Sequence, residues 1–187
     1  MTAVPSALTA PPEVASISEV YRLHARDVAR WAARLGGPRV DVEDVVQDVF
    51  LTAHRLLPEF RGEAKITTWL FRITQNQVRH RLRRLRLRRL FSSSSEEADL
   101  VAELPSNAPS PVDDLERKEA RATVYRILDG MSEKYRTAFI LFEIEKLSGE
   151  EIAQLLSQKV ATIWVWLHRA RAQFLDGLEK INKSERS

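Results

Sequence analysis

Seven arginines stand between Arg79 and Arg89, and the chemistry available to such a run is phosphate neutralisation. The chain carries a formal charge of +3; without these seven, 22 basic residues face 26 acidic ones, so the positive charge is local. A concentrated cationic segment beside acidic ones suits a directed polyanion contact, in which released counterions supply most of the non-specific affinity. Arg79, Arg83 and Arg86 recur on about one helical face and are the candidate phosphate contacts. Upstream, the loop after Pro58 holds Phe60, Arg61, Gly62, Glu63, Ala64 and Lys65, followed by Trp69, Arg72 and Asn76. An unstacked base entering there would meet an aromatic face at Trp69 and a hydrogen-bonding edge at Asn76, as single-strand readers require.

Near the C-terminus, Ser148 and Glu151 have the spacing of a capping box that opens a short helix to about Leu156. Ser157-Gln158-Lys159 then turns the chain into a last helix that buries Val160, Ile163, Leu167, Ala170 and Phe174 at spacings of three and four. This is a helix-turn-helix pattern, whose second helix enters a major groove. Thr162, Val165 and Arg169 face away from the buried line, with Trp164, Trp166 and His168 at its flanks and Arg171 beyond. A third surface has the opposite charge. Glu43, Asp44, Gln47 and Asp48 lie off the apolar stripe of Val42, Val45, Val46, Val49, Phe50, Ala53 and Leu57, and they would repel DNA but suit a basic protein partner.

Catalysis and metal binding find little support. The chain has no cysteine, and His24, His54, His80 and His168 are too far apart for local ligand spacings, so no metal and no cofactor are expected. Scattered acids such as Asp27, Asp41 and Glu63 form no paired nucleophile, base or metal motif, and an enzyme is not expected. No apolar run approaches the roughly 20 residues of a membrane span, and the opening segment lacks a signal peptide's features; a cytosolic location follows.

The elements that must position these residues are helices. Hydrophobic residues make up 44% of the chain, enough for packed cores, and only six glycines and short apolar runs favour an all-α fold over sheets. Ile17, Val20, Leu23, Val28, Trp31 and Leu35 predict a helix stopped at Gly36-Gly37-Pro38. A second begins after Asp41, and a third begins near Thr67 and runs into the arginine stretch. Leu115 to Leu128 and Glu133 to Glu145 predict two more, separated at Gly130-Met131-Ser132. The expected organisation is two small helical domains: a leader over 1–16, a first domain over 17–91, a flexible linker over 92–114, a helix-turn-helix domain over 115–180 and a tail over 181–187.

Three segments in this order resemble the extracytoplasmic-function group of bacterial sigma factors. Asp41-Val-Glu-Asp-Val-Val-Gln-Asp-Val-Phe50 is similar to the group's acidic DxVQ(E/D)xF helix in region 2. Phe60-Arg-Gly-Glu-Ala64 through Thr68-Trp-Leu-Phe-Arg-Ile73 is similar to its FRGEA…TWLxRI segment, and Leu167-His-Arg-Ala-Arg171 to the LHRAR ending of region 4. The resemblance covers about Ile17 to Phe174. It implies docking of the Asp41 to Leu57 helix on the clamp helices of core RNA polymerase, through Glu43, Asp44, Gln47, Asp48 and Phe50. It implies opening and reading of the promoter minus-10 element by the loop and the following helix, reading of the minus-35 element by region 4, and sequestration by an anti-sigma factor, often held at the inner membrane.

One departure stands out. The family's run is of the kind TV(K/R)SRLxRAR, whereas Trp164, Val165 and Trp166 replace the basic-serine-basic triplet here, and Ser157-Gln158-Lys159 replaces a glycine-isoleucine-proline type of turn. Phosphate contacts are then fewer and a hydrophobic or methyl-reading surface is expected. Other readings stay open: a sigma-like decoy that binds polymerase or an anti-sigma factor without initiating, a plain helix-turn-helix repressor, or an arginine-leucine helix lying on an anionic membrane.

Overall fold

Each of three helix starts is fixed by a side chain that takes an otherwise orphaned backbone N–H. Ser16 accepts from Glu19 N–H at 3.3 Å, Asp41 from Asp44 N–H at 3.0 Å and Ser148 from Glu151 N–H at 3.2 Å. Glu151 completes the predicted capping box by accepting from Ser148 N–H at 2.8 Å. The computed structural model describes residues 16–91 and 111–184, and every regular element among them is helical. The helices are α1 (Ile17–Gly36), α2 (Val42–Leu56), α3 (Ile66–Phe91), α4 (Pro111–Asp129), α5 (Glu133–Phe139), α6 (Gly149–Leu156) and α7 (Val160–Ser184). Short 3-10 turns at Gly37–Arg39 and Leu57–Glu59 follow α1 and α2. None of these helices is long and apolar enough to cross a membrane.

Four expectations need adjustment. Leu23 is 58% exposed, because the buried line of α1 runs through Val20, Val28, Trp31 and Leu35 and passes the half-buried His24 instead. The helix expected over Glu133 to Glu145 is α-helical only to Phe139 and widens into a π-helical turn at Ile140–Ile144. Helix α4 starts at Pro111, four residues inside the expected linker, since proline's fixed φ and missing N–H suit a first helical position; the rest of that segment, 92–110, lies outside the described residues. At the other end α7 continues through Ser184 into the expected tail, with Asp176 and Lys180 paired at 2.7 Å one turn apart.

Helices α1 to α3 pack as one bundle, with Trp31 set edge-on to Phe71 at 5.3 Å. In the second unit α7 packs against α5 and α6, and Phe139 stacks on Phe174 at 4.8 Å. The two units do not stand apart. Their buried residues form a continuous apolar core, and charged groups clasp its edge. Arg136, with 7% of its side chain exposed, donates to the Leu35 carbonyl at 2.8 Å and to Asp129 at 2.6 Å, and Arg39 also reaches Asp129. Burial pulls the Arg136 pKa below the ordinary arginine value, and the Asp129 carboxylate opposes that pull. Glu145, 8% exposed, lies between Arg30 at 2.8 Å and Arg34 at 3.0 Å.

Gly37 lets the two units pack closely at Tyr125. Its φ of 69° and ψ of −163° belong to a region that only glycine enters freely, and a Cβ there would fall 2.4 Å from the Tyr125 ring. Tyr125 in turn donates its hydroxyl to the Arg34 carbonyl at 2.9 Å. Gly37→Ala combines backbone strain with overpacking and is expected to cost at least about 2 kcal/mol in urea denaturation; an unchanged midpoint contradicts the observed packing. The α6 cap makes a pH prediction. Hydrogen bonds from Ser148 hold the Glu151 carboxyl below the ordinary glutamate range, so the cap's contribution is present above the ordinary pKa and lost as pH falls through the lower folded value. An NMR titration of Glu151 is expected to show a midpoint below that of a free glutamate side chain, and a midpoint at or above it rules out the capping bond.

Candidate functional site

Helix α3 gathers the candidates read from the first domain into one line. Lys65 just precedes it, and Trp69, Arg72, Asn76, Arg79, Arg83 and Arg86 follow at spacings of three and four, the spacing that stacks side chains on one helical face. Trp69 is half-buried and tilted against Phe60 at 5.0 Å, so its ring closes the end of the loop. Arg61, Gly62, Glu63 and Ala64 are exposed along that loop. Asn76 accepts from Arg79 at 2.7 Å.

This line faces the second unit, which supplies a partner for most of its members. Lys65 donates to Gln154 at 3.4 Å, Arg72 to the Ser157 hydroxyl and Arg86 to the Asp129 carbonyl at 2.9 Å, while Arg79 lies 3.6 Å from Glu133. Arg79, Arg83 and Arg86 converge with Arg136 on a cavity of about 390 Å³ between α3 and α5. Four guanidinium groups around one cavity, with Glu133 as the carboxylate in its lining, make a surface suited to anions once it is open.

On the other side of α3, Arg81 holds two of the acidic candidates. It reaches Asp44 at 2.9 Å and Asp48 at 2.5 Å. Burial works against the Arg81 charge, but its hydrogen bonds to Asp48 and Asp44 outweigh that and raise its pKa above the ordinary arginine value. Glu43 and Gln47 are left on the rim of a groove of about 790 Å³ between α1 and α2. Phe50 is buried at 7% exposure and meets Tyr21 edge-on at 4.7 Å in that groove, so it presents an apolar wall rather than a projecting side chain.

The helix-turn-helix is α6, the turn at Ser157 and α7. Ser157 takes the left-handed conformation that lets the chain reverse, with φ 51° and ψ 52°. On α7, Val165 and Trp164 are about half exposed and Arg169 is exposed; Thr162, expected to face outward, is half-buried, whereas His168, expected at the flank, is exposed opposite the buried line, and Trp166 is half-buried against the core. Trp164 turns back: it meets Phe142 edge-on at 5.6 Å, and a Cβ on Gly149 would fall 2.8 Å from its ring. Arg171 lies 5.2 Å over Phe142 and 2.8 Å from Glu143, and Arg169 donates to the Tyr135 hydroxyl at 3.0 Å. Sequence reasoning missed Arg81 and the arginines Arg30, Arg34 and Arg39, whose partners lie far away in the chain. Among the described residues no group of three or more His, Asp or Glu is placed to hold a metal.

Comparison with known proteins follows the same two-part division. Residues 20–89 match the family model Sigma-70 region 2, and residues 121–174 match Sigma-70, region 4. The chain is 34% identical over 165 residues to the ECF RNA polymerase sigma factor SigE of Mycolicibacterium smegmatis; the match covers 88% of this chain and 62% of that protein, less than two thirds of its length. It is 30% identical to RNA polymerase sigma factor NccH of Alcaligenes xylosoxydans xylosoxydans, with 84% of each chain covered. To the ECF RNA polymerase sigma-E factor of Escherichia coli (strain K12) it is 34% identical, with 72% of each covered. Among solved structures, the sigma factor RpoE in complex with the anti-sigma factor NepR from Bartonella quintana aligns with a TM-score of 0.59 at 25% identity, over 87% of this chain and 96% of that one. CnrH, solved with the cytosolic domain of CnrY, shares the fold, with a TM-score of 0.55 at 24% identity and 88% of each chain covered. Proteins of this kind are DNA-binding initiation factors rather than enzymes. Because both family models fall on the two helical units in chain order, and relatives at 30% identity or more match over most of their length, the chain belongs to the extracytoplasmic-function group of sigma-70 family RNA polymerase sigma factors.

Proposed function

We propose that this chain binds core RNA polymerase through the α1–α2 groove, with Glu43 and Gln47 on its rim and Phe50 in its wall, and with Asp44 and Asp48 beside it. The minus-10 element is opened and read by Arg61 to Lys65 together with Trp69, Arg72, Asn76, Arg79, Arg83 and Arg86, and the minus-35 element by the outward face of α7. The chain contributes binding energy, strand separation and register, and the polymerase performs the chemistry; the protein itself catalyses nothing. It acts in the cytoplasm, and an anti-sigma factor is its regulatory partner, a reading supported by the complex of RpoE with the anti-sigma factor NepR from Bartonella quintana.

The observation that carries this reading is the α3 line, which aligns an exposed loop, an aromatic face and a row of guanidinium groups along about 20 residues. Lys65, Arg72, Arg79 and Arg86 already have partners in the second unit. Promoter engagement therefore exchanges those contacts for phosphates and bases, and the two units must separate first.

Transcription by purified bacterial core polymerase, with and without the chain, on a pooled promoter library tests the reading. Chain-dependent starts sharing two upstream motifs are expected; polymerase binding without specific starts would instead make the chain a decoy. Neutralising Arg79, Arg83 and Arg86 to alanine is expected to weaken DNA binding across sequences and to flatten the slope of log affinity against log salt by roughly 3. An unchanged slope removes these residues from the interface. Glu145→Lys, which sets a positive charge against Arg30 and Arg34, is expected to loosen the clasp and raise affinity for minus-10 single strands several-fold, measured by fluorescence anisotropy with a doubly labelled chain reporting the distance between units.

A further inference from the structure

Over the first half of α7, up to Ala172, the outward line carries one polar side chain, His168. Ala161, Val165, His168 and Ala172 succeed one another at spacings of four, three and four, on the side opposite the buried Ile163, Leu167 and Ala170, and all four are exposed. The larger side chains that would overshadow them are turned aside. Trp164 lies against Phe142 and Gly149, Arg171 crosses Phe142 to Glu143, and Arg169 reaches the Tyr135 hydroxyl. Methyl groups and one imidazole therefore make up the outward line over the first half of this helix.

The stretch of chain that carries them is basic, with Arg171 paired to Glu143, and Lys159 and Arg169 facing no carboxylate of their own segment. No aspartate or glutamate occurs from Lys159 to Phe174, and Lys159, Arg169 and Arg171 flank the line, so a polyanion is the matching occupant. Within a major groove an apolar side chain distinguishes one base by a single feature, the thymine C5-methyl group. The bidentate readers of guanine and adenine (arginine, lysine, asparagine and glutamine) are missing from the line.

Resting on the assignment of α7 to the minus-35 element, we propose that Val165, with Ala161 and Ala172 along the same line, reads thymine methyl groups. The upstream element of this chain is then thymine-dependent, and His168 supplies the one hydrogen bond on the line that fixes register. Trp164 is a positioning residue: its ring braces α7 against the start of α6 and Phe142, which leaves Val165 as the leading side chain.

The test uses the full-length chain with core polymerase. Upstream elements are selected from a randomised library, and each thymine of the selected sequence is then replaced by deoxyuridine, which removes only the C5-methyl group. A loss of roughly fourfold per contacted methyl is expected at one or two positions, from the transfer value of one buried carbon. Val165→Ser, at a half-exposed position outside the core, is expected to abolish that sensitivity while the chain still binds polymerase and the minus-10 element. Selected elements that tolerate uracil everywhere, or a V165S chain with undiminished sensitivity, overturn the methyl reading alone. Polymerase binding with no enriched upstream element overturns the minus-35 assignment and this proposal together.

Discussion

Setting the Arg136 guanidinium between the two helical units strips it of most of its water, and a charge left unpaired there would cost several kcal/mol. Asp129 meets that demand, the Leu35 carbonyl takes a second N–H, and Arg39 arrives at the same carboxylate from the other unit. The arrangement of the molecule follows from this cluster. It holds the end of α4 and the start of α5 against the end of α1, and in doing so aligns α3 with α5 and α6, so that the Ser157 hydroxyl and Glu133 lie opposite the basic line of α3. Glu145 repeats the device at the end of the π-helical turn, where one carboxylate is shared by two arginines of α1.

Polar satisfaction has opposite consequences for the two candidate nucleic-acid surfaces. Along α3 the groups suited to phosphates and bases are turned inward and partnered by the chain itself, whereas on α7 the leading side chains stay in solvent. The acidic face of α2 is intermediate: Arg81 neutralises Asp44 and Asp48 and leaves Glu43 and Gln47 at the groove. Since Arg81 belongs to the same arginine run as the candidate phosphate contacts, one helix carries both a structural cation and the candidate ones. Their difference is set by which face each occupies, not by residue type.

Local signals in the sequence were enough for the helices and for the placing of many candidate residues on them. Apolar spacing placed α1, α2, α3 and α7, and the Ser148–Glu151 pair announced the start of α6, because caps and stripes are written within a few residues. The line from Lys65 to Arg86 was legible for the same reason. The clasp was not, since Arg39 and Asp129 are 90 positions apart and Arg136 and Leu35 are 101 apart, and no periodicity joins them. Phe50 shows the same limit: its spacing put it in the apolar stripe of α2, but only packing against Tyr21 reveals that it forms the wall of a groove. The inward turn of Trp164 likewise depends on Phe142 and on a glycine 15 residues upstream, a fit between three helical segments that a single chain pattern does not encode.

Ser157 connects local strain to the global state of the molecule. A residue other than glycine in the left-handed region costs about 1 kcal/mol, and here that residue also presents its hydroxyl to Arg72 across the gap between the units. A glycine at this position would relax the helix-turn-helix and at the same time take away one of the contacts that cover α3. Resistance to unfolding and readiness to open are thus separate quantities in this chain, and a single turn residue moves both in the same direction. A more thermostable form of the protein can therefore be a more available one.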